Sequence, residues 1–222
     1  MAEDESRSSK RVLDPIERSS EVLFGLIMVL TFTSSVSVSA AQSGHTDVRT
    51  MIIGALGCNL AWGIIDALMY LFAALSEKGH SIKTFNAVRS ASSPEAAHAV
   101  IRDGLPPIVA AALGPPQFEH VRQALINLPG VPDRPRLTRK EFLGSVGIFL
   151  LVFLSTFPVV APFLFVAHVH RALRVSNVIA IVMLAMTGYS YGHYSGQREW
   201  LWALAMIVLS VGMVGLTVAL GG

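Results

Sequence analysis

The chain has 222 residues, of which 52% are hydrophobic and only 14% are charged. Soluble domains carry about 25% charged residues, so the long charge-free blocks of this chain exclude an ordinary soluble domain. The formal net charge is +2, and the sequence has no nucleic-acid module, phosphate-binding glycine loop or cysteine zinc pattern. We therefore expect an integral membrane protein, in contact with the lipid bilayer, that binds no nucleic acid.

Five apolar runs are long enough to cross a bilayer as helices. A polar N-terminal tail, residues 1–20, precedes the first run, whose full spanning length indicates a span rather than a cleaved signal peptide. A second polar stretch, residues 77–140, predicts a small helical insert between spans two and three. The expected fold is all-α, with a hairpin of two spans (21–76) before the insert and three spans (141–222) after it. The predicted spans are residues 21–42, 50–76, 141–166, 175–194 and 199–220.

The cationic residues predict the orientation of these spans. Lys and Arg are concentrated in the N-terminal tail and in the 77–140 insert, whereas Arg49, Arg171 and Arg174 are the three on the opposite side. Cytoplasmic loops carry the Lys/Arg excess. We expect a cytoplasmic N-terminus and insert, and a C-terminus on the far side.

The first predicted span opens with acidic residues and continues with hydroxyls. Pro15 suits a first helical turn, and Glu17 and Glu21 lie one turn apart on the same face. The hydroxyls from Thr31 to Ser39 favour close helix packing, and a polar pathway lining is the alternative. The short polar turn that follows makes spans one and two an antiparallel hairpin.

The second predicted span carries a carboxylate, Asp66, in the middle of its apolar run. A charged residue at the centre of a spanning helix costs roughly 2.5–3.5 kcal/mol, so we expect a cation, a water-filled cavity or a partner beside it. Asn59, Gly63 and Tyr70 share its face, and Met69 is its neighbour at i+3. Oxygen ligands with a nearby thioether suit Fe²⁺ or Mn²⁺. A structural Asp bonded to hydroxyls is the alternative.

A rise of about 1.5 Å per residue predicts the height of each group. Counted from an end of the second span near Ser76, Asp66 lies roughly 15 Å into the membrane. The first span reaches that height between Met28 and Thr31. Glu21 is expected at the cytoplasmic mouth, so the hairpin predicts a pathway from Glu21 to Asp66.

Helix signals in the insert and in the third span are local and clear. Ser93-Pro94 begins a helix and Asp103-Gly104 ends it, and Pro115-Pro116 precedes another short helix. In the third span Pro158 and Pro162 should loosen the helix and free backbone carbonyls.

Gly188-Tyr189-Ser190-Tyr191-Gly192 matches a hydrolase nucleophile elbow. That chemistry needs a strand, a sharp turn and a helix, whereas this pattern ends a predicted membrane span. We therefore do not expect an enzyme, and an intramembrane serine hydrolase is kept as a remote alternative that a serine-reactive probe would detect.

The layout as a whole resembles the vacuolar iron transporter family. The similarity lies in Glu21-Val-Leu-Phe-Gly25-Leu26, in Gly63 to Tyr70 with Asp66 and Met69, in Pro158 to Pro162, and more weakly in Gly215 to Gly221. The first span lacks the Asp-Gly pair usual in that family and the insert is poor in glutamate. The resemblance is therefore either to a divergent, bacterial branch, which implies a bacterial inner membrane as the location, or to a relative whose function has drifted.

This resemblance implies export of Fe²⁺, and also Mn²⁺, from the cytoplasm by proton antiport. It implies a homodimer with its pathway between the two copies and no permanently bound cofactor. The metal-binding roles fall on Glu21, Met28, Asp66 and Met69, to which the residue pattern adds Asn59. Weaker candidates are Glu17, Thr31 and Tyr70. The alternative function is a membrane scaffold that works through its cytoplasmic insert and transports nothing.

Overall fold

A computed structural model describes residues 13, 15–43, 48–166 and 168–221. Every regular element within these residues is a helix, which confirms the all-α class. The helices are α1 (Pro15–Ser43), α2 (Val48–Arg89), α3 (Pro94–Asp103), α4 (Pro107–Ala112), α5 (Pro115–Ile126), α6 (Arg139–Val160), α7 (Pro162–Phe165), α8 (Val169–Tyr194) and α9 (Glu199–Gly221).

Four stretches within the described part of the chain are long and apolar enough to cross a membrane. They are Ile52–Arg89, Arg139–Phe165, Arg171–Tyr194 and Glu199–Leu216. Several helices of spanning length indicate a multi-pass membrane protein. The predicted first span is not among the four, and its helix, α1, carries Glu17, Arg18 and Glu21 in its first two turns.

The chain divides into two compact units, one of residues up to Tyr70 together with Lys140–Gly222, and one of Leu71–Arg139. In the first unit, α1 contributes three side chains to the core that have no exposed surface: Leu26, Val29 and Leu30. Around them pack Ala55 of α2, Val159 and Val160 of α6, and Ala180 and Leu184 of α8. Helix α1 therefore lies at the centre of the bundle formed by this unit.

Helix α6 ends at the two prolines, as the sequence predicts. Pro158 lies inside the helix, and because it has no N–H it cannot bond the carbonyl of Leu154. The helix stops at Val160, and the single turn of α7 begins at Pro162. Near this break the Ser176 hydroxyl of α8 donates to the Val159 carbonyl at 2.7 Å. The loosened end of α6 is thereby bonded to its neighbour.

Helix α2 is 42 residues long, and it continues without a break beyond the predicted end of the second span at residue 76. Its apolar half, up to Tyr70, belongs to the first unit, and its polar half belongs to the second.

The second unit has a small core of its own, built from Val88 of α2, Ala97 and Ile101 of α3, and Phe118 of α5. The predicted start and end of α3 are confirmed: the Ser93 hydroxyl accepts from the backbone N–H of Ala96 at 3.2 Å, and the helix ends at Asp103. Helix α4 has no buried residue, and its Ile108 side chain is 87% exposed.

The Glu119 carboxylate of the second unit takes part in several hydrogen bonds. Arg122 donates to both of its carboxylate oxygens, at 2.7 and 2.8 Å. Gln123 donates at 2.9 Å, and a ring nitrogen of His98 lies 2.9 Å away. These hydrogen bonds, those from Arg122 above all, hold the pKa of Glu119 well below its usual range.

Candidate functional site

Three contacts define how α1 and α2 pair. The Asn59 side-chain amide donates to the Gly25 carbonyl at 3.0 Å. The rings of Phe24 and Trp62 meet edge to face, with centroids 5.6 Å apart. The Phe32 ring packs directly on Gly54, leaving no space for a side chain there. Higher residue numbers on α1 pair with lower residue numbers on α2, so the two helices are antiparallel. The predicted antiparallel hairpin is therefore confirmed.

The register of this hairpin corrects the predicted height of Asp66. Asp66 lies seven residues beyond Asn59, which is about 10 Å along α2. A point the same distance from Gly25 along α1, toward the N-terminus of that helix, lies between Glu17 and Glu21. The prediction that Asp66 faces Met28 and Thr31 is therefore wrong. It assumed that α2 ends near Ser76, level with Glu21, whereas the helix continues to Arg89.

Asp66 is half-buried, and its two carboxylate oxygens have different surroundings. Its Oδ2 atom is buried and has no hydrogen-bond partner within the described part of the chain. The Glu21 carboxylate lies close enough for the two charges to interact, and the Glu17 carboxylate also acts on Glu21. Burial penalises the charge of Glu21 most, and repulsion by Asp66 adds to it. A positive charge bound beside these carboxylates would relieve both penalties.

The other predicted ligands lie in several places. Met28 lies three residues beyond Gly25, so it is about 15 Å from Asp66 along the helix axis. Met69 is adjacent to Asp66 in sequence, but its side chain is 60% exposed. The Thr31 hydroxyl donates to the Ile27 carbonyl of its own helix at 2.8 Å, and the Tyr70 ring packs on Gly144 of α6. Of the predicted set, Glu21 interacts electrostatically with Asp66 and with Glu17, and Met28 and Asn59 lie away from Asp66.

No three His, Cys, Asp or Glu side chains of the described residues lie close enough to one another to hold a metal ion. The predicted set contains only three residues of these four types: Glu17, Glu21 and Asp66. What the bundle offers a cation is thus two carboxylates, Glu21 and Asp66, whose charges interact.

Asn59 occupies a junction of three helices that the sequence pattern did not reveal. Its side chain has no exposed surface, and besides Gly25 of α1 its amide nitrogen contacts the Thr156 hydroxyl of α6 at 2.6 Å. A side chain on Gly25 would collide with Ser155 Oγ and with the Val152 carbonyl. The sequence does mark the α6 side of this junction, because the hydroxyl pair Ser155-Thr156 comes just before Pro158. No local pattern, however, indicates that this pair contacts Gly25.

The Gly188–Gly192 motif has a packing explanation. A side chain on Gly188 would lie 2.7 Å from the Trp202 carbonyl, and one on Gly192 would lie 2.8 Å from Glu199 Cα. The two glycines therefore let α9 approach α8 closely. Ser190, between them, lies within α8 and donates to the Met186 carbonyl at 3.0 Å.

No protein-family model matches this chain, and no curated protein matches it either.

Proposed function

We propose that this protein transports a divalent metal cation, Fe²⁺ or Mn²⁺, out of the cytoplasm in exchange for protons. The observation that carries the proposal is the pair formed by Asp66 and Glu21 within a bundle of membrane-length helices. A buried carboxylate oxygen without a partner is costly in an apolar bundle. A divalent cation between two carboxylates would supply the missing partner and remove the repulsion.

Exchange with protons follows from the same chemistry. When no metal is bound, the two carboxylates can relieve their repulsion by taking up a proton, because a like charge nearby disfavours ionisation. When a metal arrives, both carboxylates become ligands and the proton leaves. The Glu21–Asp66 pair thus supplies the minimum machinery for antiport.

The proposal includes a homodimer, which the exposure of one face of α2 supports. Met69 and Phe72 are 60% and 63% exposed, and Leu68 and Ile65 of the same helix are also exposed. A second copy against this face would bring the Met69 thioether, a soft ligand for Fe²⁺, into a shared pathway. The alternative is that lipid alone covers this face of α2. Cross-linking distinguishes a second copy from lipid.

The test is flux of Mn²⁺ or Fe²⁺ into proteoliposomes under an imposed pH gradient. We expect metal uptake coupled to proton release, with Asp66→Asn and Glu21→Gln each lowering the rate roughly tenfold or more. Asp103→Asn, which removes an exposed carboxylate of the second unit, is the matched control and should transport normally. Absence of metal flux in the parent protein, or normal flux in Asp66→Asn, would overturn the proposal.

A scaffold that works through residues 77–140 is the second candidate function. It is favoured by the separate core of the second unit and by the exposure of Ile108 and Val109 on α4, which has no buried residue. This candidate predicts no metal flux. It also predicts that the full-length protein retains a specific soluble partner that Ile108→Ser releases, with Gln123→Ala as the control.

A further inference from the structure

The junction of α1, α2 and α6 brings together several oxygen atoms of neutral groups. The Asn59 amide nitrogen lies 3.0 Å from the Gly25 carbonyl and 2.6 Å from the Thr156 hydroxyl. The Ser155 hydroxyl donates to the Val152 carbonyl at 2.8 Å, and both of these atoms border the Cα of Gly25. One oxygen of this group, Asn59 Oδ1, is buried and has no partner within the described residues.

A buried amide oxygen without a partner is destabilising, because nothing replaces the hydrogen bonds that it made with water. The 2.6 Å contact of Asn59 with Thr156 is also short for an N–H···O bond and normal for an O–H···O bond. Rotation of the amide by 180° would place Oδ1 beside the Thr156 hydroxyl at a distance that suits it. It would also place Oδ1 beside the Gly25 carbonyl oxygen. Two acceptor oxygens repel each other unless a cation lies between them.

The ligand chemistry points to a monovalent cation. Divalent ions such as Ca²⁺ and Mg²⁺ rely on carboxylates to offset their dehydration, whereas the Asn59 amide meets one hydroxyl, of Thr156, and one backbone carbonyl, of Gly25. Transporters bind Na⁺ with carbonyls of interrupted helices near the bilayer midplane. Helix α6 continues past Thr156 to Val160, but Pro158 cannot bond the Leu154 carbonyl, so one backbone carbonyl near Thr156 lacks its helical partner.

We propose that Asn59, Thr156 and the Gly25 carbonyl form a sodium site at this junction. The Asn59 amide then has two orientations, one in which its own N–H bridges α1 and α6, and one in which Na⁺ bridges them through Oδ1. The site is distinct from the Glu21–Asp66 pair, about 10 Å away along α2, and it stands whether or not the protein carries a divalent metal. The competing explanation is a buried water bonded to Oδ1. In that case the stability of the protein would not depend on which salt is present.

The test is thermal unfolding of the full-length protein in detergent, titrated with NaCl at constant ionic strength against choline chloride and KCl. A ligand that binds the folded state raises Tm in a saturable way, here by about 5 °C at high occupancy. We expect this rise with Na⁺ and not with choline, with a weaker response to K⁺. Thr156→Ser, which keeps the hydroxyl, should retain the Na⁺ response.

Two variants separate the site from general salt effects. Thr156→Val and Asn59→Ala should abolish the response to Na⁺, and Thr156→Val covers the case in which Asn59→Ala does not fold. Asn177→Ala is the matched control, since Asn177 of α8 also has a buried Oδ1 without a partner among the described residues but lies outside this junction. Equal stabilisation by Na⁺ and choline, or an undiminished Na⁺ response in Thr156→Val, would overturn the proposal.

Discussion

Gly25→Ala tests the contact on which the register of α1 and α2 depends. The added methyl group would lie 2.8 Å from the Val152 carbonyl and 3.2 Å from Val152 Cα, and would collide with Ser155 Oγ. Because the nearest backbone atoms belong to the middle of α6, no side-chain rotation can relieve the contact. Helix α1 must move away from α6, which also strains the hydrogen bond from Asn59 to the Gly25 carbonyl.

The magnitude follows from these two effects. Overpacking a filled contact costs about 1–3 kcal/mol, and leaving the Asn59–Gly25 hydrogen bond unmade costs about 1–3 kcal/mol more. A protein of this size loses about 2–4 °C of Tm for each kcal/mol, so we expect Tm to fall by about 10 °C. The assay is thermal unfolding in detergent, followed by tryptophan fluorescence.

Gly57→Ala is the matched control for this experiment. Gly57 lies in the same stretch of α2 as Asn59, and a side chain there would meet nothing within 4 Å. Replacing a helical glycine by alanine at an open position stabilises by about 0.5–1 kcal/mol. If Gly25→Ala is as stable as Gly57→Ala, the close packing of α1 against α6 is refuted.

The remaining predictions concern the second unit and the oligomeric state. Because hydrogen bonds lower the pKa of Glu119, its contribution to stability is present above the unfolded-state value near pH 4.5 and is lost as the pH falls below it. Amide protection factors of the unit, corrected for the slower intrinsic exchange at low pH, should fall on acidification, and Glu119→Gln should flatten that dependence; an unchanged pH profile in this variant would contradict a stabilising role of Glu119. If α2 lines a dimer, Met69→Cys in a Cys58→Ser background should cross-link two copies efficiently. Val208→Cys, equally exposed at 64% but on α9, should cross-link poorly, and equal cross-linking of both would argue against a dimer through α2.

Much of the fold could be predicted because its signals are local. The start of α3 at Ser93-Pro94 needs only a capping hydroxyl and a proline, and both predicted ends of that helix are observed. The interruption of α6 follows from the missing N–H groups of Pro158 and Pro162. The helical class follows from long apolar runs, which can satisfy their backbone in a membrane only as helices or closed barrels.

The candidate site could not be predicted as well, because its geometry depends on register. The residues Glu21 and Asp66 were identified by type, but their relative height required knowing where α2 ends, and polarity after Ser76 gave no sign that the helix continues to Arg89. The register itself is determined by the bond from Asn59 to Gly25 and by the contact of Phe32 with Gly54. Such contacts between distant residues leave no periodic pattern in the sequence.

Binding of Mn²⁺ to the purified protein and to a double-mutant cycle of Glu21→Gln and Asp66→Asn tests the central claim most directly. Groups that bind one ion together show strongly non-additive effects. We expect each single variant to lower the Mn²⁺ affinity by roughly tenfold or more and the double variant to be little worse than either one. Independent, additive losses, or unchanged affinity in either single variant, would contradict a shared cation site between Glu21 and Asp66.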